Sequence, residues 1–259
     1  MPEITSTQNP RVKALRALRE PKARRREGLM LIEGEKMLAE ARASGLKVRD
    51  VLYDETRVSA EFAGRGALSA APHVLESLCE TVTPQGIVAA VEPPAQPELE
   101  EVVTRARARG RALLVAALDG VQDPGNVGTI WRTCDAAAFD ALLIGMSCPD
   151  PFSPKVLRAS MGAAFRVPVL RVDMAGALRG LAGQGCAVVS SQLDGEPFFS
   201  GLPGGDVALV IGNEARGVSD EVRALATHRL RLPMPGGAES LNAAVAAGIM
   251  IYACIDGRR

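Results

Sequence analysis

Three separated stretches combine glycine and proline with amide, carboxylate or guanidinium side chains: DPGNVGTIWRT (123–133), VIGNEARGVS (210–219) and LPMPGGAESLN (232–242). In the first, a helix is expected to open near Asn126, and Arg132 follows six residues later. That offset is roughly 9 Å along a helix axis, within reach of a long side chain pointing back to the loop. A guanidinium stays protonated at ordinary pH, so its chemistry is to grip an anion or steady a developing negative charge. The plain alternative for Arg132 is a surface ion pair. In the second stretch Gly212, Asn213, Glu214 and Gly217 follow an apolar run, and glycines let a ligand approach the backbone. Glu214 can accept a proton or orient loop amides, and orientation is the preferred reading. The alternative is a simple turn with Ser219 as a helix N-cap. In the third, Leu232, Met234, Ser240, Leu241 and Asn242 precede a helix that is apolar nearly all round, and Ser240 is expected to cap it.

Other chemistries lose their usual support. Neither the G-x-G-x-x-G fingerprint nor the G-x-x-x-x-G-K-[ST] loop occurs at these turns, which weakens a nucleotide-dependent oxidoreductase. His73 and His228 are the only histidines and lie far apart, which weakens a histidine zinc site or a Ser-His-Asp triad; no metal is expected. The five cysteines contain no Cys-x-x-Cys pair and read as reduced thiols of a cytoplasmic protein. Aromatics are 3% of the 259 residues, too few for a grip on single strands by many stacked rings. The polar start MPEITSTQNP does not read as a signal peptide, and the longest apolar run, 243–255, is short of a membrane span.

The elements that must position these loops form an alternating pattern. Strands are expected at 29–34, 48–54 and the end of 83–92, with a helix at 35–44. The proline-rich EPPAQPE (92–98) is a linker, and 100–111 reads as a helix. Beyond it, strands are expected at 112–119, 141–145, 167–172, 186–191, 207–212 and 228–234. Helices are expected around 126–138, 154–164, 174–183, 218–226 and 240–256. This is an α/β chain with a mainly parallel sheet covered on both faces, where ligands bind beyond the carboxyl ends of strands. Two domains follow, 1–98 and 99–259.

The charge total, 30 basic against 30 acidic, hides an asymmetry. Residues 1–27 carry eight basic and three acidic side chains, a net +5, leaving net −5 for the rest. Val12, Leu15 and Leu18 recur at helical spacing, and Pro21 is expected to stop that helix. Arg11, Lys13, Lys22, Arg24, Arg25 and Arg26 in this stretch fit a polyanion contact; a solvated helix face is the alternative.

Together the three loops, in this order, resemble the SpoU (TrmH-type) family of RNA ribose 2′-O-methyltransferases. KVLRASMGAAF (155–165) is similar to the family segment between the first two loops, and ITSTQNPRVKAL, LIEG and TPQGIVAAVE are similar to its substrate-binding domain. The resemblance covers almost the whole chain. It implies a carboxyl-terminal trefoil-knotted α/β domain, S-adenosylmethionine as cofactor, a homodimer with each site completed across the interface, and a smaller amino-terminal α/β domain that binds RNA. It also implies a catalytic role for Arg132, with Asn126 and Glu214 beside it. Gly212, Asn213, Leu232, Met234, Ser240, Leu241 and Asn242 then surround the cofactor, joined by Ser190 and Ser191 at a strand end. Arg158 joins the RNA-binding set. Asp140 stands where a glycine is common, and Ala215 interrupts what is often a GNEG run. Ribosomal RNA is favoured over transfer RNA as substrate, and a non-catalytic ribosome-assembly factor of the same fold is the alternative.

Overall fold

The structure is a computed structural model that describes residues 2–81 and 83–256, the Leu193 side chain excepted. The extreme ends of the two expected domains, Met1 and residues 257–259, lie outside the described residues. The chain divides into two compact units, residues 1–94 with 150–165, and residues 95–149 with 166–259. The linear division at residue 98 does not contain this return of 150–165 to the first unit.

In the first unit, α1 (Pro10–Ala17) starts at Asn9, whose side chain accepts from the Arg11 N–H. Pro21 does not merely end that helix. It opens α2 (Pro21–Glu27), because a proline fits the first helical position, where no N–H is needed. There follow β1 (Met30–Glu33), α3 (Glu35–Ala43), β2 (Val48–Tyr53), α4 (Ala60–Ala63), β3 (Leu68–Ser69), α5 (Pro72–Glu76) and β4 (Ile87–Val91). The sheet order is β1-β4-β2-β3, with β4 antiparallel to both β1 and β2. Val12, Leu15 and Leu18 pack into one core with Leu31, Leu52, Val74 and Val88, as their helical spacing requires.

The second unit begins with α6 (Leu99–Ala108), β5 (Leu114–Asp119), α7 (Pro124–Ala136) and β6 (Ala141–Gly145). The chain then supplies α8 (Pro154–Ser160), which packs on β1 in the first unit. It resumes with β7 (Val169–Val172), α9 (Met174–Gly183), β8 (Ala187–Pro197), α10 (Phe198–Gly201), β9 (Val207–Gly212), α11 (Asp220–Leu225), β10 (His228–Arg231) and α12 (Ala243–Ile255). All pairings in the six-stranded sheet are parallel among the described residues, in the order β10-β8-β9-β5-β6-β7. Every residue from Leu114 to Leu118 is buried, as in a strand covered on both faces. Side chains of α6, α9 and α11 share a core with Val115, Ala117, Val188 and Val210, while α7 and α12 pack on each other.

The order sets the site. From β5 the chain moves outward to β6 and β7, while β9, on the other side of β5, has its own connections running away from it. The loops after β5 and β9 therefore diverge from adjacent strand ends, the geometry that opens a crevice for ligands. One cap differs from expectation: Asn242, not Ser240, caps α12. Its Oδ1 accepts from the Ala244 and Val245 N–H groups, and Ser240 is left exposed in the preceding loop.

Candidate active site

The first loop is organised from its ends. Asp119, the last residue of β5, accepts the Ser219 N–H on Oδ2 at 2.7 Å, tying the loops after β5 and β9 together. Asp123 caps α7 by accepting the Asn126 N–H at 2.9 Å. The helix thus begins at Pro124, two residues before the expected start, because the aspartate satisfies its first turn.

The second loop supplies the cross-links. Glu214 Oε2 accepts the Gln122 N–H at 3.0 Å, and Oε1 accepts the Asp123 N–H at 3.2 Å and Asn126 Nδ2 at 3.0 Å. Burial works against its charge, but hydrogen bonds from Asn126 and from the Gln122, Glu214 and Asp123 backbone outweigh it and hold the carboxyl below the usual carboxylate range. A carboxylate so occupied is a poor proton acceptor and a good loop organiser. Asn213 Nδ2 donates to the Gly120 carbonyl at 2.8 Å, and its Oδ1 accepts the Ala215 and Arg216 N–H groups. Asn213 and Gly217 also exchange backbone hydrogen bonds. Here Gly212 is required by space: a Cβ on it would lie 2.3 Å from the Gly217 carbonyl carbon and the Val218 nitrogen.

The third loop joins through Asn242, whose Nδ2 donates to Asn126 Oδ1 at 3.0 Å. Asn126 therefore donates to one neighbouring loop and accepts from the other, and all three sequence stretches meet on its side chain. Arg132 stands exposed on α7, with no hydrogen bond or ion pair for its guanidinium among the described residues.

Beside this junction lies a cavity of about 480 Å³. Of the residues expected around a cofactor, Ser191, Gly212, Asn213, Leu232, Met234, Ser240 and Leu241 line it. Asn242 does not; it closes the junction from the α12 side. Ser190 does not either. It is fully buried, accepting Gln192 Nε2 on its Oγ, and the wall is made by Ser191 and Gln192. Sequence reading also missed Arg216 and Arg223, which line both this cavity and a neighbouring one of about 420 Å³. The signal for both was position, since they follow the carboxyl end of β9.

In the first unit the expected RNA contacts divide. Arg24 is corrected: it is 5% exposed, donates to the Leu18 and Arg19 carbonyls, and pairs with Asp150 at 2.6 Å, so it is a structural cation. Arg11, Lys13, Lys22, Arg25 and Arg26 are exposed; Arg11 lies 3.7 Å from Asp50, and Arg26 pairs with the adjacent Glu27. Lys13, Arg16 and Arg19 line a shallow depression with Glu20 and Glu80. Arg158 is partly exposed, 3.9 Å from Glu33. The five cysteines are free thiols. Burial, followed by Glu33, pushes Cys79 up to about 12. Burial likewise raises Cys134 and Cys148. Among the described residues no cluster of His, Cys, Asp and Glu could hold a metal ion, and no helix is long and apolar enough to cross a membrane.

Residues 113–252 match the family model described as the SpoU rRNA methylase family. The chain belongs to that family. Residues 9–89 match a second model, an MRM3-like substrate binding domain. Among SpoU relatives, the chain is 36% identical over 255 residues to the 23S rRNA (guanosine(2553)-2′-O)-methyltransferase RlmP of Bacillus subtilis, covering 97% of this chain and 98% of that one. The crystal structure of the SpoU methyltransferase AviRb from Streptomyces viridochromogenes with AdoMet superposes with a TM-score of 0.85 at 30% identity, covering 97% and 98% of the two chains. An AdoMet-bound rRNA methyltransferase from Sinorhizobium meliloti gives 0.84 at 31% identity, covering 98% and 97%. The α/β architecture, an amino-terminal unit followed by a parallel-sheet unit, is the one these SpoU structures share.

Proposed function

We propose that this protein is an S-adenosylmethionine-dependent ribosomal RNA 2′-O-methyltransferase. The observation that carries the reading is the meeting of three loops on Asn126 beside a cavity at the strand ends, with the unpaired Arg132 on the same helix as Asn126. The cavity fits the cofactor. Ile211, Leu232 and Met250 offer apolar wall, and two buried polar atoms of lining residues, Gln192 Oε1 and Arg223 Nε, have no hydrogen-bond partner among the described residues. A ligand with an apolar ring system, hydrogen-bond donors and a carboxylate satisfies both needs. Backbone around Gly212, Leu232 and Leu241, which line the cavity, would hold the adenosyl part of the bound cofactor.

When bound, the cofactor supplies a methyl group made electrophilic by its sulfonium centre. The protein's work is placement. Arg132 grips the target phosphate and steadies the charge that develops on the ribose 2′-oxygen. The phosphate or a water takes the hydroxyl proton, and Glu214 stays ionised and keeps the first loop in place. Residues 1–98 bind RNA through Arg11, Lys13, Lys22, Arg25 and Arg26, joined by Arg158, and residues 99–259 carry the reaction. The basic contacts position RNA without reading its sequence.

The active unit is a homodimer. Val245, Ile249 and Tyr252 are exposed on α12, and Phe199 is 62% exposed, an apolar stripe that a second copy would cover. The knot implied by the family fits the return of the chain from β10, at the sheet edge, to α12 packed on α7 and β9. The protein works in the cytoplasm, on ribosomal RNA. The test is to map 2′-O-methyl groups in total RNA with and without the gene; loss of one ribosomal RNA mark, restored by the purified protein and S-adenosylmethionine, is expected. An unchanged map would end the enzymatic reading. For the dimer, Ile249→Glu should convert the sedimenting species to monomer; a wild type that already sediments as monomer would refute it.

A further inference from the structure

The end of β8 is irregular in a way that sets one side chain apart. β8 pairs with β9 only from Ala187 to Ser190. Against β10 its register slips: Ser190 faces Arg229, but Leu230 faces Glu196. Residues 191–195 therefore leave the ladder, and Ser191, Gln192 and Asp194 enter the wall of the larger cavity. Gly195 allows this bulge to close tightly, since a Cβ there would lie 2.5 Å from the Arg229 carbonyl oxygen.

Gln192 lies in this bulge and is 7% exposed. Its Nε2 donates to Ser190 Oγ at 2.5 Å, and Ser190 is itself fully buried, so the amide is anchored at one end. Its Oε1 is buried and has no donor among the described residues, and the residue lines the cavity. Buried side-chain acceptors are rarely left unmet, and each exception asks for a missing partner. Among the described residues none meets it, so the donor is assigned to what fills the cavity.

Resting on the methyltransferase reading, we propose that Gln192 determines specificity for the nucleoside of the cofactor, its Oε1 accepting a hydrogen bond from an N–H or O–H of the adenosyl group. An adenosyl group offers such donors at the 6-amino group and at the ribose hydroxyls. The acceptor discriminates by leaving itself unpaired when the donor is absent. Ser190 is a positioning residue, holding one end of the Gln192 amide so that the other end meets the ligand.

Calorimetry on the full chain tests this with S-adenosylhomocysteine, S-inosylhomocysteine (a carbonyl in place of the 6-amino group) and the 2′-deoxy and 3′-deoxy analogues of S-adenosylhomocysteine. The wild type is expected to bind one analogue at least about tenfold more weakly than the parent, and that analogue identifies the donor. Gln192→Met keeps the length without the acceptor. It is expected to bind the parent about tenfold more weakly and to lose the discrimination against that analogue. Equal parent affinity in Gln192→Met and wild type, or retained discrimination in the variant, overturns the proposal, as does tighter wild-type binding of the inosyl compound. Should Gln192→Met not fold, Ser190→Ala decides: about threefold weaker binding of the parent, with discrimination against the same analogue reduced, is expected, and unchanged affinity overturns the proposal. Failure of the wild type to bind S-adenosylhomocysteine at all would instead sink the methyltransferase reading.

Discussion

Arg24 in the first unit is buried on Asp150 and two backbone carbonyls, whereas Arg132 in the second stands exposed on α7 without a partner among the described residues. Both lie in stretches that point to RNA chemistry. The difference is what surrounds them. Arg24 is one of eight basic residues in a short run, where local density says nothing about which side chain faces inward. Arg132 is fixed by its distance from Asn126 along one helix, and that helix is anchored by Asp123 and Glu214. Charge density marks a surface; spacing from an anchored residue marks a side chain.

The sharpest way to break this comparison is to remove each arginine. Arg132→Ala should lower methyl transfer to ribosomal RNA by about 10²–10³-fold, the scale of losing one charge-stabilising group, while calorimetry shows unchanged cofactor affinity. Near-normal turnover would place Arg132 with Arg24 as a residue of structure alone. Arg24→Met should instead cost about 3 kcal/mol in urea unfolding, because Asp150 is left without its cation and two carbonyls without a donor. A stability change under about 0.5 kcal/mol would return Arg24 to the surface set.

Glu214→Gln sharpens the account of the anchored loop. Glutamine keeps one acceptor oxygen and turns its amide nitrogen towards an N–H donor, so at least one of the three hydrogen bonds is lost and the others become neutral, which predicts at least about a tenfold fall in rate. The folded carboxyl is held low, so its contribution to stability is complete above the ordinary carboxylate range and disappears as pH falls through the lowered value. A neutral amide at this position has no such acid dependence, so the variant's stability should be flatter on the acid side. The acidic limb of the pH–rate profile should coincide in both proteins; a displaced limb would make Glu214 a proton carrier. The smallest effect is expected from changing Lys22, Arg25 and Arg26 together to Ala. Stability should stay within about 0.5 kcal/mol, while the salt dependence of RNA binding flattens by roughly 0.7–0.9 for each phosphate no longer neutralised. An unaltered slope would show a merely solvated helix face.

Much of the fold was legible because long apolar strands and amphipathic helices announce themselves. The 174–183 helix and the 207–212 strand fall where their patterns place them. Short pieces did not: α4, α5 and β3 span too few residues for any period to show. β8 was expected to end at 191 but runs through its bulge to Pro197, since an irregular pairing leaves no alternation to read. That same bulge hid Gln192 and set Ser190 beneath the wall. At the third loop, Ser240 and Asn242 are both good capping residues, and the asparagine is the one next to the first helical residue, Ala243. The junction of three loops was expected from the family resemblance, but its wiring through one amide was not, because pairings across 88 and 116 residues leave no local trace.

Asn242 holds the first turn of α12 with its oxygen and reaches Asn126 with its nitrogen. Fraying of that single turn therefore cuts the third loop loose while the parallel sheet is still intact. On warming, the protein should fall silent before it melts, so a thermal assay that follows secondary structure alone would overstate the temperature range in which the molecule can work.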